Sequence, residues 1–153
     1  MKTPTKQQLR AAWSAAPYTT REILESLYGS DIKADITERI KTPSDAFREL
    51  GINYNDARVT DCPSELHNGL VAFHRLQVIC NALNEGWTPD WSNDDQPKYF
   101  PWFVFQGGRF VFCSVYCRCT VSDLGSRLCF RTRELAEYAG KQFEDLYNQF
   151  LSI

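Results

Sequence analysis

The apolar positions at the start of the chain follow the three- and four-residue spacing of helices. The first such stripe ends at Pro17 and consists of Leu9, Ala12, Trp13 and Ala16. A helix start is indicated where a Thr hydroxyl can accept a hydrogen bond from a free N–H group of the first turn, or where Pro can occupy the first turn. Three segments meet these criteria: Thr3-Pro4, Thr19-Thr20-Arg21-Glu22 and Thr42-Pro43-Ser44-Asp45. With a four-residue isoleucine repeat over 34–41, these signals predict several short helices, followed by a loop at 52–62.

A long helix is predicted from Pro63 to about Glu85, where Gly86 ends it. Its apolar stripe is wide and comprises Leu66, Leu70, Val71, Phe73, Leu76, Val78, Ile79, Cys80 and Leu83. A stripe of this width indicates contact with more than one neighbouring element. We therefore expect this helix to lie at the centre of the fold.

Between residues 98 and 131 the pattern changes to the two-residue alternation of strands. Residues 99–105 and 109–120 flank Gly107-Gly108, a tight hairpin signal, and Pro101 places the first strand at an edge or a bulge. A turn at 122–125 precedes a third strand at 126–131. Thr132 then caps a closing helix with the stripe Leu135, Ala139, Phe143, Leu146 and Phe150.

The pattern as a whole predicts one α+β domain over residues 1–153. In it, a three-stranded antiparallel meander (98–131) packs with the long central helix (63–86), the C-terminal helix (132–152) and the small N-terminal helices (1–62). The 43% hydrophobic and 14% aromatic content exclude a disordered chain. We expect no membrane span, since no apolar run approaches about 18 residues.

The compartment is predicted from the N-terminus and the cysteines. The first ten residues lack the apolar core of a signal peptide, and six cysteines are too few for a disulfide scaffold in 153 residues. We therefore expect a cytoplasmic protein with reduced, mostly buried thiols. The net charge of −2 gives no overall attraction to nucleic acid or to an anionic membrane.

Strict alternation along the second strand predicts two faces with different chemistry. Val111, Cys113, Val115, Cys117 and Cys119 share one face. With Cys129 the cysteines could form a zinc site, but ligands along one strand lie roughly 7 Å apart per two residues and do not converge. We expect no metal and no cofactor, and interpret these cysteines as small apolar residues on the core face.

The opposite face carries aromatic and basic side chains, and nearby aromatic residues extend it. The predicted binding patch comprises Trp87, Trp91, Tyr99, Trp102, Arg109, Phe110, Phe112, Tyr116 and Arg118. Such a patch, if exposed and contiguous, indicates a surface for a protein partner or for self-association. The alternative is single-stranded nucleic-acid binding, with bases stacked on the aromatic rings and phosphates on the arginines.

No motif in the sequence predicts catalysis. The acidic loop at 90–95 differs from a calcium-binding EF-hand, because Asp95 and Pro101 stand where a Gly and a Glu are needed. His67 and His74 are seven residues apart, whereas metal-binding pairs on a helix prefer four. No phosphate-binding loop or nucleophile motif is present, so we expect a non-enzymatic protein.

Four segments carry a resemblance: D-I-T-E-R-I-K-T-P-S-D-A-F-R-E-L-G, N-A-L-N-E-G-W-T-P-D-W, K-Y-F-P-W-F and G-S-R-L-C-F-R-T-R-E-L-A-E-Y-A-G-K-Q-F. They resemble small uncharacterised proteins encoded by phages and mobile elements of Bacteroides-type bacteria, over about residues 31–153. The resemblance implies a phage-derived, intracellular origin. It carries no assigned function and no catalytic residues.

Overall fold

A computed structural model of the chain describes residues 3–54, 63–121 and 126–152. The helices and strands follow one another as α1 (Lys6–Ala15), α2 (Tyr18–Tyr28), α3 (Ile36–Arg39), α4 (Pro43–Glu49), α5 (Ser64–Asn84), β1 (Lys98–Gln106), β2 (Arg109–Arg118), α6 (Arg133–Gln142) and α7 (Glu144–Leu151). Short 3₁₀ turns lie at Ser30–Ile32 and Ser126–Leu128. The mixture of helix and strand around a long central helix is confirmed.

Capping side chains determine where several helices begin. The Thr42 hydroxyl accepts from the Asp45 N–H and the Asp45 carboxylate accepts from the Thr42 N–H, as predicted. Thr132 likewise accepts from the Leu135 N–H at the start of α6. The capping box predicted at 19–22 is wrong, because α2 begins at Tyr18 without a side-chain cap, and the N–H groups of Thr20 and Arg21 bond to the Pro17 carbonyl.

The central helix α5 packs against α4, α6 and α7, and its middle and C-terminal turns supply most of its core contacts. Its fully buried side chains include Leu76, Ile79 and Leu83. Burying each such side chain stabilises the fold by about 1.5–3 kcal/mol. The predicted stripe does not extend to the first turns, where Leu66 and Leu70 remain exposed.

A network of buried charges joins the N-terminal helices to α5. The Trp13 ring, 2% exposed, has the guanidinium carbon of Arg21 at 4.6 Å and that of Arg39 at 5.2 Å from its centroid. Glu49 accepts hydrogen bonds from both arginines, and Arg39 also donates to Glu85. Each buried guanidinium is therefore paired, as burial of a charge requires.

β1 and β2 form an antiparallel hairpin. Gly107 and Gly108 join them with φ angles of +63° and +83°, a conformation that favours glycine, as predicted for a tight hairpin. A β-bulge lies in β2: Trp102 pairs with Ser114 and the next residue, Phe103, pairs with Phe112. Cys113 is therefore the extra residue, and β2 ends at Arg118 rather than at residue 120.

The third strand predicted at 126–131 is wrong: of these residues, Phe130 alone forms a bridge, to Tyr99, with N···O distances of 3.0 and 2.8 Å. The Asn84 side chain of α5 donates to the Cys129 carbonyl at 2.8 Å and accepts from the Arg131 N–H at 3.0 Å. In an antiparallel pair the backbone groups of the flanking residues point away from the partner strand, so the Asn84 amide satisfies the outer edge of this segment. The turn predicted at 122–125 lies outside the described residues.

The closing helix is divided at Phe143, whose φ of −114° and ψ of 25° depart from helical values. The two resulting helices, α6 and α7, cover one face of the hairpin. Most of the predicted stripe is buried as expected, including Leu135, Ala139 and Leu146. Among the described residues, no helix combines the length and the apolar character needed to cross a lipid bilayer.

Candidate functional site

The bulge at Cys113 reverses the alternation of side chains partway along β2. Cross-strand partners share a face of a sheet. Phe112 pairs with Phe103 and Val115 pairs with Pro101, so these residues lie on one face although their numbers differ in parity. This inner face packs on α6 and α7, as the Phe103 and Tyr147 ring centroids, 4.7 Å apart, show.

The predicted faces of β2 are therefore partly wrong. Phe110 and Phe112 belong to the inner face with Val115, not to the face of Tyr116. Cys113 was expected on the core face with Val115, but it is exposed at the bulge. Side chains alternate between the two faces only while each residue has a cross-strand partner, and the extra residue at the bulge shifts this alternation by one position.

The outer face of the hairpin brings together Trp102, Tyr116 and Arg118. The Trp102 and Tyr116 ring centroids are 4.6 Å apart, and the Arg118 guanidinium carbon is 5.3 Å from the Tyr116 centroid. Tyr116 is 40% exposed and Val104, further along β1, is 38% exposed. These residues form what we call the outer aromatic face: Trp102, Val104, Val111, Ser114, Tyr116 and Arg118.

Other members of the predicted patch have structural roles. Arg109 forms ion pairs with Glu144 at 3.1 Å and Asp145 at 2.7 Å. The Phe110 and Phe112 N–H groups donate to the side chains of Asn148 and Glu144, so α7 occupies the open edge of β2 there. Tyr99 packs against the core. The nine predicted residues therefore do not form one surface.

Trp87 and Trp91 lie outside the hairpin, in the acidic loop between α5 and β1. The buried Lys98 holds this loop: its ammonium donates to the Asp90 carbonyl and, at 3.3 Å, to the Asn93 carbonyl. It also lies 5.4 Å from the Trp91 ring centroid. The Lys98 side chain thus connects the acidic loop to the start of β1.

The loop and α5 enclose a cleft of about 520 Å³, which we call the α5 cleft. Its α5 wall includes His74, Gln77 and Asn81, and its loop wall includes Trp87, Pro89 and Trp91. This wall of α5 was not among the predicted sites. A signal was present, because 74, 77 and 81 are three and four residues apart and so share one helix face.

The cysteines differ in burial, and their burial does not follow from the strand that they occupy. The Cys80 thiol donates to the Cys129 carbonyl at 3.0 Å. Burial raises the pKa of the Cys80 thiol far above its ordinary value, and burial raises the pKa of Cys129 to about 11. Within residues 3–54, 63–121 and 126–152, no group of three or more His, Cys, Asp or Glu side chains is placed to hold a metal ion.

The chain matches no protein-family model and no curated protein, and its fold matches no solved structure.

Proposed function

We propose that this protein is a non-enzymatic interaction module that binds another protein through the outer aromatic face. The observation that carries the proposal is the Trp102–Tyr116 pair, with centroids 4.6 Å apart, on the face of the hairpin opposite α6 and α7. Tyr and Trp are enriched among the residues that contribute most of the binding energy at protein interfaces. Val104 and Val111 extend the apolar area around them.

Charge indicates the chemistry of the partner. Residues 98–118 include Lys98, Arg109 and Arg118 and no acidic residue. Lys98 is buried and Arg109 forms ion pairs with α7, whereas Arg118 lies on the outer aromatic face, where its guanidinium also donates to the Cys117 carbonyl at 3.0 Å. A second copy of the face would offer Arg118 no carboxylate. The surface fits a partner that presents an apolar patch beside acidic side chains.

The proposed setting follows from the resemblance and from the thiols. The resemblance to phage- and mobile-element-encoded proteins supports an origin of that kind and a place of action in the bacterial cytoplasm. Cys80, Cys113, Cys117 and Cys119 are free thiols, which fits a reducing compartment. The genes beside this one test the origin: a cluster without phage or mobile-element genes would contradict it.

The binding test compares two exposed apolar side chains on different surfaces. Proteins retained by the immobilised wild type are identified, purified and titrated against the purified protein. We expect Tyr116→Ala to weaken at least one of these complexes by about tenfold or more. Leu27→Ala is the control, because Leu27 is 68% exposed on α2, away from the hairpin.

The proposal fails if no purified candidate binds, or if Tyr116→Ala and the control bind equally well. Sedimentation of the purified protein gives a second readout. A dimer that Tyr116→Ala dissociates would show that the partner is a second copy, contrary to the charge argument.

Single-stranded nucleic acid is the second candidate, since the Arg118 guanidinium lies 5.3 Å from the Tyr116 centroid and the Trp102 indole is adjacent to the same ring. Binding of mixed-sequence oligonucleotides that weakens steeply with salt and is lost in Tyr116→Ala would favour this candidate. Lack of binding at low salt would eliminate it.

A further inference from the structure

The α5 cleft has one wall of polar, uncharged side chains without protein partners. The Gln77 and Asn81 amides form no hydrogen bond within the described part of the chain, and neither does the buried Nε2 atom of His74. Gln77 is half-buried and Asn81 is exposed, so both amides are accessible to a ligand in the cleft. By contrast, the neighbouring Asn84 amide is fully engaged with Cys129 and Arg131. The three unpartnered side chains share the helix face that lines the cleft.

The facing wall is aromatic and is held in place. Trp87, Pro89 and Trp91 line it. The Trp87 N–H bonds to the Asn84 carbonyl at 3.0 Å, which joins the start of the loop to the end of α5. Lys98 holds the far side of the loop at Asp90 and Asn93. The cleft is therefore preformed rather than created by a ligand, as is usual for small-molecule sites.

The composition of the walls selects a class of ligand. Carboxamides carry both donors and acceptors and can match the edge of a nucleobase, and aromatic rings stack on its face. The lining residues include no carboxylate, so the cleft does not select cations, and Arg127 supplies one positive charge. Its volume of about 520 Å³ lies in the range of ligand pockets.

We propose that the α5 cleft binds a free nucleotide, with the base between the amides of α5 and the tryptophans of the loop and the phosphate at Arg127. Gln77 and Asn81 read the polar edge of the base. The His74 ring lines the same wall and packs on Phe47, with ring centroids 5.7 Å apart. This site is separate from the outer aromatic face and does not depend on the protein-binding proposal.

The experiment titrates the full-length protein with AMP, GMP, CMP and UMP, followed by tryptophan fluorescence and by amide chemical shifts. At least one of them should give saturable quenching, with shifts in α5 and in residues 87–91. Asn81→Ala should lower the affinity for that nucleotide about tenfold, which is the loss expected for one contact to the edge of a base. Asn68→Ala, which alters an exposed amide of the same helix outside the cleft, should leave binding unchanged.

Two further comparisons separate the base from the phosphate and from other ligands. Arg127→Ala should lower the affinity for the nucleotide and leave the affinity for the matching nucleoside unchanged. Glucose and cellobiose test whether the aromatic wall selects sugars instead. The proposal is overturned if no nucleotide gives saturable binding, if the sugars bind more tightly than the nucleotides, or if Asn81→Ala and Asn68→Ala behave alike.

Discussion

Gly140 of α6 lies directly against the Phe112 ring of β2: a Cβ atom at position 140 would be 2.4 Å from Phe112 Cδ2 and 2.9 Å from the Pro101 Cβ. The absence of a side chain therefore lets the helix approach the inner face of the hairpin. This approach also brings Phe112 into the core.

Gly140→Ala should destabilise the protein although Ala is the better helix former by about 1 kcal/mol. The methyl group would force the ring or the helix to move, and overpacking of this kind costs about 1–3 kcal/mol. Urea denaturation gives the free energy of unfolding. Gly69→Ala is the matched control in α5, because its new Cβ would be 3.9 Å from the nearest neighbouring atom, the Gln149 carbonyl oxygen. The control should be neutral or stabilising, and a similar result for Gly140→Ala would contradict the contact.

Arg39→Ala should be among the most damaging single substitutions in the N-terminal helices. The Arg39 side chain is 2% exposed and joins Glu49 of α4 to Glu85 beside α5. Removing one partner from a buried charge network costs about 3–5 kcal/mol, because the remaining charges lose their compensation. Arg48→Ala provides the comparison, since the Arg48 side chain is 60% exposed and should contribute at most about 1 kcal/mol. Equal unfolding free energies for the two variants would show that the network is not stabilising.

Glu85 should make the protein sensitive to acid. Burial alone would raise the pKa of its carboxyl, but the hydrogen bond from Arg131 and the charges of Arg39 and Lys33 outweigh burial and lower that pKa. A carboxyl whose pKa is lower in the folded protein than in the unfolded chain stabilises the fold at pH values above the unfolded-state pKa of about 4.3. This stabilisation is lost as the pH falls through the folded-state pKa.

The expected difference between wild type and Glu85→Gln is therefore largest near neutral pH and shrinks at acid pH. Denaturation curves from pH 7 to pH 3 measure it, as long as both proteins remain folded. A difference that stays constant across this range would mean that the charge of Glu85 does not contribute.

Cys113 should be the first of the described cysteines to react with a maleimide in the native protein. It is exposed at the bulge, whereas Cys80 and Cys129 are buried with raised pKa values and few thiolates. Timed labelling followed by peptide mass spectrometry gives the order. Cys113→Ser should remove the peptide that is labelled fastest and leave the slow labelling of Cys80 unchanged. Labelling of Cys80 as fast as that of Cys113 would contradict the burial described for α5.

Local signals predicted most of the helices correctly. Thr42, Pro63 and Thr132 mark helix starts because a cap involves groups only a few residues apart in sequence. The hairpin at Gly107-Gly108 was predicted for the same reason, since a tight turn depends on the φ angles of its own residues. The division of the last helix at Phe143 and the start of α2 at Tyr18 were missed.

The binding surfaces could be predicted only in part. Trp102, Tyr116 and Arg118 were named as one patch and do lie together. Phe110 and Phe112 were assigned to the same face, but the bulge at Cys113 separates them from it. His74, Gln77 and Asn81 share a recognisable helix face, yet the tryptophan loop opposite them is positioned by Lys98, a contact that spacing along α5 does not reveal.

The sequence by itself determined the helical and hairpin segments, the central place of α5 and the aromatic character of the hairpin, because periodicity and caps act over a few residues. Only the tertiary structure decided that residues 126–131 form a single bridge to β1 rather than a third strand, that one extra residue at Cys113 shifts the side chains of β2 between its faces, and that the residues of the predicted patch divide between an outer face and a cleft. These outcomes depend on hydrogen bonds and packing between residues distant in the chain, which the local pattern of the sequence does not contain.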